Sequence, residues 1–327
     1  MPQSWAGAPA GQWWHSTSPP KGSRSSSWKS TNRLVTPTTV PAGSQTATNR
    51  FEMYLPLSVQ QETRPRPLVR WLPLLSGRRA RIAIPLGYLT LIAVAELLTA
   101  VGQLRAGLVL HGGLLVMLLV HASLTAGDPS HRLLLGLALA PLIRMLSLSL
   151  PLVRFPQLYW YLIISIPLFV ASALMVRVLG YSREQLGFTI RRLPLQLLVG
   201  LTGVTFGVVE YYILRPDTLL ENPNWLSGAV AGLILMVCTG FGEEFMFRGL
   251  IQRASIQTLG RFGLLYTALL FAVLHIGYRS VPDMVFVFAV ALLFGWVAEA
   301  TWSLLGVTLA HGITNIVLFL VMPWLGR

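Results

Sequence analysis

The sequence predicts an all-α, polytopic transmembrane helical bundle of about eight or nine spans. Three observations carry that prediction. Hydrophobic residues make up 54% of the 327 positions, and charged residues only 11%, where a soluble domain carries about 25%. The apolar residues fall into successive runs, most of them close to the ~20 residues with which a helix crosses a bilayer. The basic residues lie mainly in an N-terminal tail and in short loops between the runs.

In chain order the expected spans are Ile82–Val101, Gly107–Leu124, Leu133–Leu150, Leu158–Val178, Leu195–Leu214, Trp225–Phe247, Phe262–Ile276, Asp283–Ala300 and Leu304–Val321. Each is expected to be helical, because backbone groups in hydrocarbon must find hydrogen-bond partners within their own segment. The seventh is short. Gly203 and Gly207 have the GxxxG spacing that lets two helices approach closely. Trp71, Trp160 and Trp225 sit near span ends, as interface anchors do.

Four regions follow. Residues 1–80 read as a disordered basic tail, since residues 1–50 contain no Asp or Glu and are rich in Ser, Thr, Pro and Gly. That stretch has no apolar core of a secretory signal. Its composition fits an organelle transit peptide, or a segment upstream of a start at Met53. Residues 81–180 hold N-terminal helices, 181–224 an interfacial segment with the span beside it, and 225–321 a C-terminal core. Arg64, Arg66, Arg70, Arg78, Arg79 and Arg81 precede the first span and place the N-terminus in the cytoplasm. The expected location is the plasma (inner) membrane of a prokaryote.

The formal charge of +13 is not a nucleic-acid signature, because no basic face or binding motif accompanies it. Cys238 is the sole cysteine, so no intrachain disulfide and no all-cysteine metal site can form.

Chemistry concentrates near the C-terminus. Gly242-Glu243-Glu244-Phe245-Met246-Phe247-Arg248 puts three charges into an apolar helix, where ionisable groups are costly and mark functional sites. Glu244 and Arg248 are i and i+4 and share a helix face. Glu243 points about 100° away. One carboxylate is therefore held by a guanidinium, and the other is free to act on water as a general base. A surface ion pair at a helix end reads equally well from this motif alone. His275 ends Phe271-Ala-Val-Leu-His275, and His311-Gly-Ile-Thr-Asn315 sets imidazole and carboxamide on one face. That pair suits an oxyanion hole, or polar contacts between helices. Glu96, Arg144 and Glu210 are read as interhelical pairing partners, with a polar cavity as the other choice. Glu299 is read as solvated, and His111, His121 and His131 as ordinary.

Taken together, the three motifs resemble the CAAX-processing and bacteriocin-processing (CPBP, or Abi) intramembrane proteases, whose motifs are EExxxR, FxxxH and HxxxN/D on successive helices. The resemblance covers about residues 225–320. It implies that Glu243 activates water with help from His275, that Glu244 is held by Arg248, and that His311 and Asn315 stabilise an oxyanion. The implied substrate is a membrane-associated peptide, prenylated or of leader type. No cofactor is expected; the alternative is zinc on Glu243, His275 and His311. The rival reading is a non-catalytic membrane protein that kept the motif: an immunity or scaffold protein, or a proton-coupled transporter. If catalysis is right, Glu243 and His275 must meet at one depth. The sixth helix is therefore predicted to run on past Arg248 to about Thr258.

Overall fold

The structure is a computed structural model that describes residues 78–150, 152–220 and 224–326. The expected disordered tail up to residue 77, with Trp71, Met53 and the arginines before Arg78, lies outside the described residues. Among the described residues there is no strand. Successive helices are α1 (Arg78–Ala100), α2 (Leu104–Leu124), α3 (Ser130–Ser149), α4 (Gln157–Leu179), α5 (Leu193–Leu214), α6 (Trp225–Leu259), α7 (Phe262–Tyr278), α8 (Val281–Thr301) and α9 (Leu305–Leu325). All but α7 are long and apolar enough to cross a membrane. The chain is an integral, multi-pass membrane protein.

Helix α6 runs on past Arg248, as the common depth of Glu243 and His275 requires. It starts at a capping box, where Asn224 Oδ1 accepts from the Ser227 N–H and Ser227 Oγ accepts from the Asn224 N–H, both at 2.9 Å. These bonds satisfy donors that every helix start leaves open. It then continues without a break for 35 residues, about 52 Å, through Arg248 to Leu259. Gly260 stops it with a positive φ of 60°. Glu243 therefore lies near the middle of the rod rather than at its end. The reason is visible in the sequence after Arg248: Leu250, Ile251 and Ala254 keep an apolar face, and all three are fully buried. Helix α7 is correspondingly short and returns from Gly260 to bring His275 back toward Glu243.

The N-terminal helices are not a separate body. Leu134 and Leu137 on α3 share one apolar core with Leu250 and Ile251 on α6 and Leu270 on α7. On the other side, α5 packs along α9. A side chain at Gly203 would collide with the Ala310 carbonyl, and one at Gly207 with the Thr314 carbonyl and Val317. The GxxxG pair thus makes the close contact that its spacing suggested, against the helix that carries His311 and Asn315. A second crossing pairs Gly240 on α6 with Gly312 on α9, where a Cβ on Gly240 would lie 2.8 Å from the Gly312 Cα.

The segment between α4 and α5 is an irregular, ordered loop. Gly187 takes a positive φ of 78°, and its carbonyl accepts from the Leu304 N–H at 2.9 Å. Ser303 Oγ donates to the Thr189 carbonyl at 2.6 Å, and Arg253 Nε to the Gln185 carbonyl at 2.8 Å. These bonds fasten the loop to the ends of α6, α8 and α9.

Candidate active site

Two π-helical stretches, Leu235–Phe241 and Phe245–Ile251, bracket Gly242–Glu244 within α6. A π turn adds a residue per turn, re-aims the side chains that follow, and recurs at functional sites. Here the adjacent carboxylates separate cleanly. The Glu244 side chain is fully buried, whereas that of Glu243 is 31% exposed. Only Glu243 can meet water.

Glu244 is held from two sides. Arg248 Nη1 donates to Glu244 Oε1 at 2.8 Å, and His311 Nδ1 lies 2.7 Å from the same oxygen. The Arg248 guanidinium in turn lies over the Phe271 ring, 4.8 Å from its centroid, and 5.8 Å from that of Phe294. An arginine so enclosed loses its water, and the carboxylate and the ring faces replace part of what water supplied.

Hydrogen-bond chemistry assigns the imidazole protons. His275 Nδ1 lies 2.9 Å from the Phe271 carbonyl. A carbonyl only accepts, so Nδ1 carries the hydrogen and neutral His275 keeps its lone pair on Nε2. His311 Nδ1 likewise donates to Glu244, leaving Nε2, which is 3.8 Å from Glu243 Oε2. Asn315 Nδ2 donates to Thr239 Oγ1 at 2.8 Å, while the Thr239 hydroxyl donates to the Leu235 carbonyl. With its one hydrogen spent, Thr239 can only accept, which fixes the carboxamide orientation. One N–H of Asn315 remains.

These groups line one cavity of about 80 Å³: Glu243, Glu244, Arg248, His275, His311 and Asn315 all face it. That is room for a few water molecules. A larger cavity of about 200 Å³ adjoins it and shares Glu243, His275, Tyr161 and Tyr278. Its remaining wall is mostly apolar and comes from α3, α4, α6 and α7, including Ile143, Leu168, Cys238, Met246 and Leu274. Glu243 and His275 thus stand between a polar chamber and an apolar one.

Residues 223–317 match the family described as Type II CAAX prenyl endopeptidase Rce1-like. The C-terminal region is an Rce1-like domain. No curated protein and no solved structure matches the chain. The match agrees with the CPBP resemblance carried by the three motifs, and its limits take in all of α6, α7 and α8 and the part of α9 that holds His311 and Asn315.

Several residues of the Rce1-like domain and its surroundings have roles that the sequence reading missed. Thr239 precedes Glu243 by four positions in the same helix, and a polar residue at that spacing was the available signal. Tyr161 on α4 and Tyr278 at the end of α7 line both cavities, and the Tyr278 ring stacks on His275 at 5.7 Å. Glu210 on α5 has no ion-pair partner among the described residues and lines the smaller cavity, so pairing was the wrong choice for it. Pairing holds for the other two, with Arg144 Nε 2.5 Å from Glu96 Oε1. His111 faces Glu96 at 3.4 Å. His121 bonds Tyr88 Oη at 3.0 Å, and His131 the Ala122 carbonyl at 2.7 Å. Glu299 is not simply solvated: Arg253 reaches it at 2.9 Å. Among the described residues no three His, Cys, Asp or Glu side chains converge at metal-ligand spacing.

Proposed function

We propose that the Rce1-like domain is an endopeptidase that hydrolyses a membrane-associated peptide with water activated by Glu243. One observation carries this reading. The half-open carboxylate of Glu243 and the acceptor Nε2 of His275 border a water-sized chamber into which His311 and Asn315 also project.

In this reading Glu243 takes a proton from a water that His275 Nε2 also holds. The hydroxide attacks the scissile carbonyl carbon. The oxyanion that forms accepts from the free N–H of Asn315 and, with His311 in the imidazolium form, from His311 Nε2–H. Glu243 then returns its proton to the departing amine nitrogen as the C–N bond breaks. Glu244 and Arg248 take no proton. They hold His311 by its Nδ1 and so set where Nε2 points. No step passes through a metal.

The apolar chamber beside Glu243 supports a substrate with an apolar flank, prenylated or leader-type. The six arginines from Arg64 to Arg81, ahead of the first apolar run, support a cytoplasmic N-terminus. A proton relay would not require Asn315 to be held in one orientation by Thr239, which favours hydrolysis over transport.

The test is cleavage of a tagged membrane peptide by purified protein in nanodiscs. Wild type is expected to cleave, and Glu243→Gln and His275→Ala are not. Equal cleavage by Glu243→Gln would remove the general-base assignment.

A further inference from the structure

Helix α7 ends in the turn that presents His275, and its last carbonyls need partners. The backbone supplies only some. The Tyr278 N–H goes to the His275 carbonyl, and the Arg279 N–H to that of Ile276. Neither reaches Leu274, the residue immediately before His275. Its carbonyl instead accepts from Arg144 Nη2, which arrives from α3. The guanidinium also lies against this turn at Gly277, where a Cβ would come within 3.9 Å of the same nitrogen.

Arg144 is itself anchored. Glu96 on α1, 1% exposed, binds its Nε at 2.5 Å, and His111 on α2 stands behind Glu96 at 3.4 Å. Three N-terminal helices, none of them in the matched region 223–317, thus converge on one peptide group of α7. A buried ion pair adds little net stability over an apolar replacement, so the pair alone gives no reason for a charge here. The bond to Leu274 does, because a guanidinium can bind Glu96 through one nitrogen and a backbone carbonyl through another.

We propose that Arg144 is a positioning residue for His275: pinned by Glu96, it clamps the Leu274 carbonyl, fixes where α7 ends, and holds His275 Nε2 toward the water beside Glu243. Arg144 lines the larger cavity together with Glu243 and His275, so the clamp acts at the wall of the site. It gives the first three helices a task in the reaction. The proposal rests on His275 being part of the hydrolytic site, and the experiment separates the two claims.

The full-length protein, with ¹⁵N-labelled histidine, is examined in nanodiscs by NMR, and His275 is assigned by the signal that His275→Gln removes. Wild type is expected to show one His275 tautomer, with hydrogen on Nδ1. Arg144→Met is expected to give mixed or shifted His275 signals while those of His131 stay in place. It should lower kcat at least about tenfold, since small misplacements of reacting groups are costly, and leave KM within about twofold. Arg144→Lys should recover part of both effects, and Glu96→Gln should show an intermediate one. If Arg144→Met does not fold, Arg144→Lys and Glu96→Gln carry the same readouts. An unchanged His275 signal in the folded variants overturns the proposal. Absence of cleavage by wild type would sink the peptidase reading instead, and the tautomer result would still decide the role of Arg144.

Discussion

His311 Nδ1 lies 2.7 Å from Glu244 Oε1, the same oxygen that accepts from Arg248. The fully buried carboxylate therefore joins two motifs that are far apart in the chain. It turns His311 so that only Nε2 faces the cavity, and it leaves water to Glu243.

That division predicts opposite behaviour for the two glutamates. Glu243→Gln should lower cleavage by about 10²–10⁴-fold, the usual worth of a general base. Its thermal unfolding should barely move, because the side chain already meets solvent. Initial rates and a melting curve on the same preparation check both. A loss below tenfold would contradict the assignment.

For the Glu244–Arg248 pair the stability effect should dominate. Glu244→Gln or Arg248→Met alone strands a buried charge, at a cost of about 3–5 kcal/mol. The double variant Glu244→Gln/Arg248→Met should cost clearly less than the sum, since the two sites are in contact. Denaturant unfolding in mixed micelles measures the cycle. Additive losses would mean that the two charges do not interact.

Thr239 should matter only through its oxygen. Thr239→Val leaves Asn315 free to turn, so kcat should fall toward that of Asn315→Leu, where an oxyanion donor is lost at a cost of about 10²–10³-fold. Thr239→Ser keeps the acceptor and should stay near wild type. Matching rates for the Val and Ser variants would show that the hydroxyl does not orient the carboxamide.

The helix crossings make a packing prediction. Gly203→Ala and Gly240→Ala put a methyl group into backbone of α9 and should destabilise by about 1–3 kcal/mol, as overpacking does. Gly228→Ala, with open space around it, is the control and should be neutral. Equal melting temperatures across the three would refute the close approach.

Cleavage should survive a strong zinc chelator. His311 Nδ1 is committed to Glu244, and no three metal-type donors converge among the described residues. Inactivation by chelator and recovery with added zinc would require a different arrangement of Glu243, His275 and His311.

The sequence by itself determined the all-helical membrane architecture, the separation of Glu243 from Glu244, the Glu244–Arg248 pair, and the run of α6 past Arg248 to about Thr258. These are local matters: span length, the i,i+4 reach of side chains, and an apolar face that continues past Arg248. Only the tertiary structure decided that His311 binds Glu244, that Thr239 orients Asn315, that Glu210 faces the cavity, and that Arg144 reaches Leu274. Each of these joins helices distant in sequence, so it depends on how two rods cross and turn about their axes. Those crossings are set by glycines such as Gly203 and Gly240, and by π turns that re-aim the residues after them. Helical periodicity alone carries no record of which rod will lie opposite.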